Sequence, residues 1–438
     1  MGERESLNIM GLSHALLAIE RGECTALDII EACFDRIEAR EAQVGAWQYR
    51  LDREAYLQHY HRYREFYESS RLKGLPVGIK DIIDTYDMPT EMGSAIHKGR
   101  QPVDDASCVA LLRDAGAIPL GKTVTTEFAY FKPGKTANPR DLKRTPGGSS
   151  SGSAAAVADG MVSIALGSQT AASVIRPAAY CGVVGYVGSR GEYSLRGVQP
   201  LAQSLDSLGV FGRKVEDVQL MRWLLSRHQQ PLRAGEPRKP NRIAICAGEH
   251  LGDTDPEMQF AIKNMEAVLQ RHGVATIQLQ DDGLLLKMVE HHQRIMAYEV
   301  ARNLAYESLH RETLSEPLNA LIDMGLAMGY ASYLESLQAA EVTRGWLWSR
   351  YDDVDAVLAP AAPGVAPLGL EKTGAPHMSR PWQAMGLPVI TLPVITLPGI
   401  ADRESLPLGI QLIGRARQDD ALFSVARWME SMIAKMGF

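Results

Sequence analysis

No stretch of this sequence approaches the roughly 18 consecutive apolar residues of a membrane-spanning helix, so no membrane association is expected. It has no CxxC pair. The five cysteines, Cys24, Cys33, Cys108, Cys181 and Cys246, are scattered, which argues against a disulfide framework and for free thiols in a reducing compartment. His97, the His291-His292 pair and His377 stand at no recognised ligand spacing, so neither a metal nor an organic cofactor is expected. Basic clusters are missing too. Arg238-Lys239 sits among prolines, the net charge is −6, and no nucleic-acid partner is expected on that ground. The charged start, Met1-Gly2-Glu3-Arg4-Glu5, is not followed by a secretory apolar core, and a cytoplasmic location is the expectation. No internal repeat is present.

What remains is an ordinary globular composition: 438 residues, 45% apolar and 22% charged, ample for an independent core. Helical spacing runs over 13–21 and 25–40, the second opened by a capping-box pair, Thr25 and Asp28. A charged, aromatic-rich helix is expected over 51–69. Leu75-Pro76-Val77-Gly78-Ile79-Lys80-Asp81 reads as a short buried strand ending on a lysine. Further strands are expected at 117–120, 162–166, 242–246, 354–358, 389–392 and 408–412, with helices between them. This alternation predicts an α/β fold: one large domain over 1–438, with a mixed sheet covered by helices on both faces. Within it, 75–213 reads as a core, 228–241 as linker-like, 256–351 as mostly helical, and 354–438 as closing strands and a helix.

The densest chemistry lies in Pro146-Gly147-Gly148-Ser149-Ser150-Ser151-Gly152-Ser153. A Gly/Ser run can be a flexible tether. The small, apolar AAAVADGMVSIALG that follows instead suits a tightly packed helix and strand. A phosphate loop fails, because Ser153-Ala154 stands where Lys-Ser/Thr is required. Gly148 to Gly152 also satisfies G-x-S-x-G, but polar residues precede it where a nucleophile elbow needs a buried strand. An esterase using Ser150 with a downstream histidine stays open as an alternative.

Three ordered segments, GIKD at 78–81, TPGGSSSGSAAAVADG at 145–160 and GSQTAASVIRPAAYCGVVGY at 167–186, resemble the amidase signature family. SLDSLG and PLGIQLIGR fit the same pattern, and within the family the likeness is to malonamidase-type enzymes. The resemblance implies a catalytic set of Lys80, Ser149 and Ser173: Ser173 as nucleophile, and Ser149, after a cis peptide bond, bridging it to Lys80. Lys80 must then be neutral. An unperturbed lysine, with a pKa of about 10.4, is almost wholly protonated near pH 7, so burial has to lower that value. The same resemblance places the oxyanion on backbone N–H groups of Thr170, Ala171, Ala172 and Ser173, with Ser150 in support. The family carries two glycines where Ala171 and Ala172 stand. Either these positions do not need positive φ, or the hole is reshaped. Ser151 for glycine and Val187-Gly188-Ser189 for Lys-Pro-Thr are further departures.

Arg176, three residues after Ser173, is the candidate clamp for a substrate carboxylate. The expected function is therefore hydrolysis of a small, malonamate-like amide to acid and ammonia. The expected partner is that small molecule alone, with a homodimer admitted. Two alternatives accompany it: the amidase subunit of a glutamine-dependent tRNA amidotransferase, and a catalytically weak scaffold of the same fold.

Overall fold

The computed structural model describes residues 7–227, 236–394 and 406–435. Eleven strands form a single sheet. In chain order they are β1 (Trp47–Arg50), β2 (Pro76–Lys80), β3 (Ile118–Thr123), β4 (Ile164–Gln169), β5 (Val184–Val187) and β6 (Ser207–Gly212). Then come β7 (Arg242–Ile245), β8 (Ala275–Gln278), β9 (Ala356–Pro360), β10 (Val389–Val394) and β11 (Leu408–Ile413). Their spatial order is β1-β3-β2-β4-β6-β5-β10-β11-β9-β7-β8. The sheet is mixed. β2 runs parallel to both β3 and β4, whereas β4–β6, β6–β5, β5–β10 and β10–β11 are antiparallel.

Adjacent residues of β5 show what covers each face, since successive side chains of a strand point to opposite sides. A Cβ on Gly185 would run into Ala178 of the Ile175–Cys181 helix. The ring of the next residue, Tyr186, lies 4.7 Å from that of Phe423 on the Asp419–Lys435 helix. Helices therefore cover both faces, and the α/β architecture expected from the strand–helix alternation is the one found.

Most expected elements are present with shifted ends. The capping box is formed: Thr25 Oγ1 accepts from the Asp28 N–H, and Asp28 accepts from the Thr25 N–H, at the start of Ala26–Val44. The helix expected over 51–69 is broken in two, Arg53–Arg62 and Arg64–Ser69, at Tyr63, whose φ of −117° and ψ of 28° leave the helical region. β5 and β6 were given no bounds from the sequence, and β1 and β8 were not expected from it. Each of the latter two is four residues long, and β8 lies half-exposed at a sheet edge, so neither carries a buried alternating pattern. Of the linker-like stretch 228–241, residues 228–235 lie outside the described residues.

The Gly/Ser segment is no tether. Ser151–Ala158 is a helix, buried from Ser151 through Val157. A Cβ on Gly152 would collide with the backbone of Ala46 and Val124, which explains why only the smallest residues fit.

Candidate active site

β2 ends on Lys80 between two parallel neighbours, under helices on both faces, so the sheet leaves its side chain no route to water. Lys80 is 0% exposed. Its Nζ donates to Ser149 Oγ at 2.6 Å and to Ser168 Oγ at 2.9 Å, with the Ser168 carbonyl at 3.4 Å. Among the described residues, no carboxylate bonds to it. Burial dominates and lowers its pKa to about 7, against a smaller opposing pull from Asp206.

Ser149 follows a cis peptide bond from Gly148, the geometry the family resemblance implies. Ser173 lies beyond the end of β4, in the turn that leads into the Ile175–Cys181 helix. The ends of β2 and β4 thus bring Lys80 and Ser173 to the carboxyl edge of parallel strands, the usual place for a site in such sheets, and Ser149, just before the Ser151–Ala158 helix, meets Lys80 there. Ser149 and Ser173 line one cleft together with Thr170, Ala171, Ala172, Arg176 and Arg380. The cleft holds about 370 Å³ of empty space, its open mouth included. Ser173 and Ser149 form no direct side-chain hydrogen bond; the Ser150 N–H donates to the Ser173 carbonyl at 3.3 Å. Catalytic hydrogen bonds in unliganded sites are often long and tighten on binding.

Among the described residues, the N–H groups of Ala171, Ala172 and Ser173 have no protein acceptor, as donors kept for a ligand would. Neither Ala171 nor Ala172 has positive φ, so alanine meets no backbone penalty at either position. The loop is held from behind. Gln169 Oε1 accepts from the N–H groups of Val174 and Ile175 at 2.9 and 3.1 Å. Thr170 Oγ1 donates to Asp206, which also accepts from Leu201 N–H and Ala202 N–H; burial raises the Asp206 pKa to about 6. Burial likewise drives the His292 pKa down to about 3, and the neutral ring donates from Nε2 to the Thr170 carbonyl at 2.7 Å.

Ser150 is fully buried behind the cleft. Its Oγ donates to the Ser168 carbonyl at 3.3 Å, and no histidine reaches it among the described residues. The elbow-esterase alternative therefore has no general base. Arg176 faces the cleft, but its terminal nitrogens donate to Gly374 O at 2.7 Å, Gly148 O at 2.6 Å and Thr373 Oγ1 at 3.2 Å. Its Nε–H is left without a partner. The other histidines named from the sequence do not line the cleft: His97 bonds Glu307, His291 bonds Ser336, and His377, next to the lining residue Pro376, bonds the Asp253 carbonyl.

Sequence reasoning missed Ser168, Asp206, His292 and Arg380. Ser168 sits in the quoted GSQT segment and carried a weak signal, a hydroxyl inside an apolar strand. Asp206 sits in the quoted SLDSLG segment but was given no role, and His292 and Arg380 come from distant segments that no local pattern links to the motifs.

The family model described as Amidase matches residues 28–423. The chain is 31% identical to a glutamyl-tRNA(Gln) amidotransferase subunit from Picosynechococcus, over 97% of this chain and 98% of that one. A crystal structure of an amidase superposes with a TM-score of 0.85 at 27% identity, covering 96% of this chain and 99% of the other. The corresponding amidotransferase subunit from Thermotoga maritima gives 0.81 at 25% identity, covering 97% and 95%.

These relatives correct one expectation. Nucleic acid was excluded on charge, yet the curated relatives are named as subunits of an enzyme acting on glutamyl-tRNA. The physical reason is that net charge reports on direct contact by this chain, whereas one member of an assembly can serve a tRNA reaction whose phosphates are held elsewhere in it. Among the described residues, no helix is long and apolar enough to cross a membrane. Matched by its family model along most of its length, and by relatives end to end, the chain belongs to the amidase signature family.

Proposed function

We propose that the chain cleaves the C–N bond of a small amide through an acyl-enzyme on Ser173, releasing ammonia. The observation that carries this reading is the buried Lys80 amine, its pKa lowered to about 7, 2.6 Å from the Oγ of Ser149, which lines one cleft with Ser173. Neutral Lys80 takes a proton from Ser149, which takes one from Ser173 as its Oγ bonds to the amide carbon. The N–H groups at 171–173 hold the oxyanion; each such donor is worth about 2.7–4 kcal/mol in the transition state. Collapse returns the proton to the departing nitrogen, and water then repeats the sequence to free the acid. The alanines give an inactive scaffold no support, since neither needs glycine's freedom.

The ammonia has two destinations, a partner protein or solvent. The curated relatives favour the first, in which the chain is the amidase component of a glutamine-dependent amidotransferase. The stand-alone malonamate hydrolase rests on the GIKDIIDTYDMPTEMGS and SVIRPAAYCG segments. Ammonia release by the purified chain from glutamine and from malonamate decides between them. Turnover of malonamate without a partner supports the hydrolase. Glutamine turnover that rises on adding the remaining amidotransferase subunits and glutamyl-tRNA supports the amidotransferase. Release from neither, under both conditions, rejects the reaction itself.

A further inference from the structure

We propose that Arg380 is the carboxylate receptor of the substrate pocket, so that the preferred substrate is a short amide bearing a free carboxylate. The proposal rests on the amidase reading of Ser173 and supplies the specificity that reading lacks.

Arg380 opens the short Arg380–Ala384 helix, far in sequence from the catalytic motifs, and its side chain lines the same cleft as Ser173. It is 7% exposed. No hydrogen bond or ion pair reaches its side chain among the described residues, and its buried Nε–H is without a partner. A guanidinium carries five N–H donors and stays protonated throughout the accessible pH range. Leaving such a group buried and unpaired costs several kcal/mol, and proteins seldom keep one without a partner for it. The missing partner is an anion that comes with the ligand.

The surroundings agree. The cleft lining contains two arginines and neither Asp nor Glu. Arg176 spends its terminal nitrogens on the carbonyls of Gly374 and Gly148, so it braces the loop that carries Ser149 while adding positive field. The nearby imidazole, His292, is held neutral and donates to the Thr170 carbonyl, so it adds no charge of its own. Apolar walls from Tyr130, Phe131 and Met296 keep the dielectric low, which strengthens a guanidinium–carboxylate pair. A planar, bidentate acceptor such as a carboxylate matches the free fork. At about 370 Å³ with its open mouth included, the cleft suits a compact substrate.

The test compares wild type with Arg380→Met on malonamate, succinamate and glutamine, and on neutral butyramide. The preference for acidic over neutral amides, as a ratio of kcat/KM, is expected to fall about 100-fold, since truncating one partner of a buried charge pair has effects of that order. Equal losses on both substrate types would overturn the proposal. Calorimetry with malonate and succinate on a Ser173→Ala background reads the pocket without the chemistry, so failure of the amidase reading leaves this arm intact. Binding that weakens about 100-fold in the Arg380→Met chain supports the receptor. Absent binding by the parent, or equal binding by both, refutes it. The unliganded Arg380→Met protein should melt above wild type, having lost an unpaired buried cation; a lower Tm would mean that Arg380 has a structural partner, and would also overturn the proposal.

Discussion

If Lys80 is the base, the rate must follow its neutral form. With a pKa of about 7, half of the lysine is neutral at pH 7, about a tenth at pH 6 and about a hundredth at pH 5. The value of kcat/KM should therefore rise about 50-fold from pH 5 to 7 and then flatten. A lysine at its unperturbed pKa of about 10.4 would instead give about a 70-fold rise between pH 8 and 10. Ammonia release from one amide, measured from pH 5 to 10 at constant ionic strength, separates the two curves. The same shift affects stability. The folded pKa lies below the unfolded one, so the unfolded chain binds the extra proton between about pH 7 and 10.4, and stability from this group rises with pH across that window. Below pH 7 Lys80 is charged in the folded and unfolded chain alike, and the cost of burying that charge is felt in full. Replacing Lys80 with Met should remove at least about 10³-fold of the rate while making low-pH unfolding less acute. A rate that keeps climbing past pH 9, or a Lys80→Met enzyme within tenfold of wild type, would refute the assignment.

Asp206 pulls the Lys80 pKa upward, so Asp206→Asn should move the acidic limb of the profile to lower pH. It should also lower the Tm, because Thr170, Leu201 and Ala202 lose a charged acceptor. Replacing Ala171 or Ala172 with glycine should raise kcat by no more than about twofold, and urea denaturation should show a loss of about 0.4–1 kcal/mol from the freer unfolded chain. Arg176→Met should slow acidic and neutral amides alike and cost about 2–4 kcal/mol in stability, because the carbonyls of Gly148 and Gly374 lose charged donors inside the protein. Thermal melts and parallel kinetics on glutamine and butyramide check both halves.

The site was legible where chemistry is written contiguously. GIKD, the serine run and the segment around Ser173 pointed to residues that the fold brings into one cleft, and small residues around Gly152 foretold close packing. What sequence could not show was direction. Arg176 is near Ser173 in the chain, and only the folded loop reveals that its nitrogens turn to the Gly148 and Gly374 carbonyls. Arg380 sits in Ser-Arg-Pro-Trp, a stretch with no periodicity, and its significance lies in lacking a partner, which is a three-dimensional property. His292 shares a helix with solvent-facing residues. Its role depends on one carbonyl, that of Thr170, arriving from the far side of the site. For the fold, buried strands such as β2 and β4 announced themselves by short, mostly apolar runs, whereas the edge strand β8 did not.

The central claim is a covalent intermediate on Ser173, and intact-mass spectrometry after treatment with a fluorophosphonate tests it most directly. A single adduct mapped to the Ser173 peptide, abolished in Ser173→Ala and formed more slowly in Lys80→Met, is the predicted result. An adduct on Ser150 or Ser149 instead, or labelling that persists in Ser173→Ala, would contradict the account.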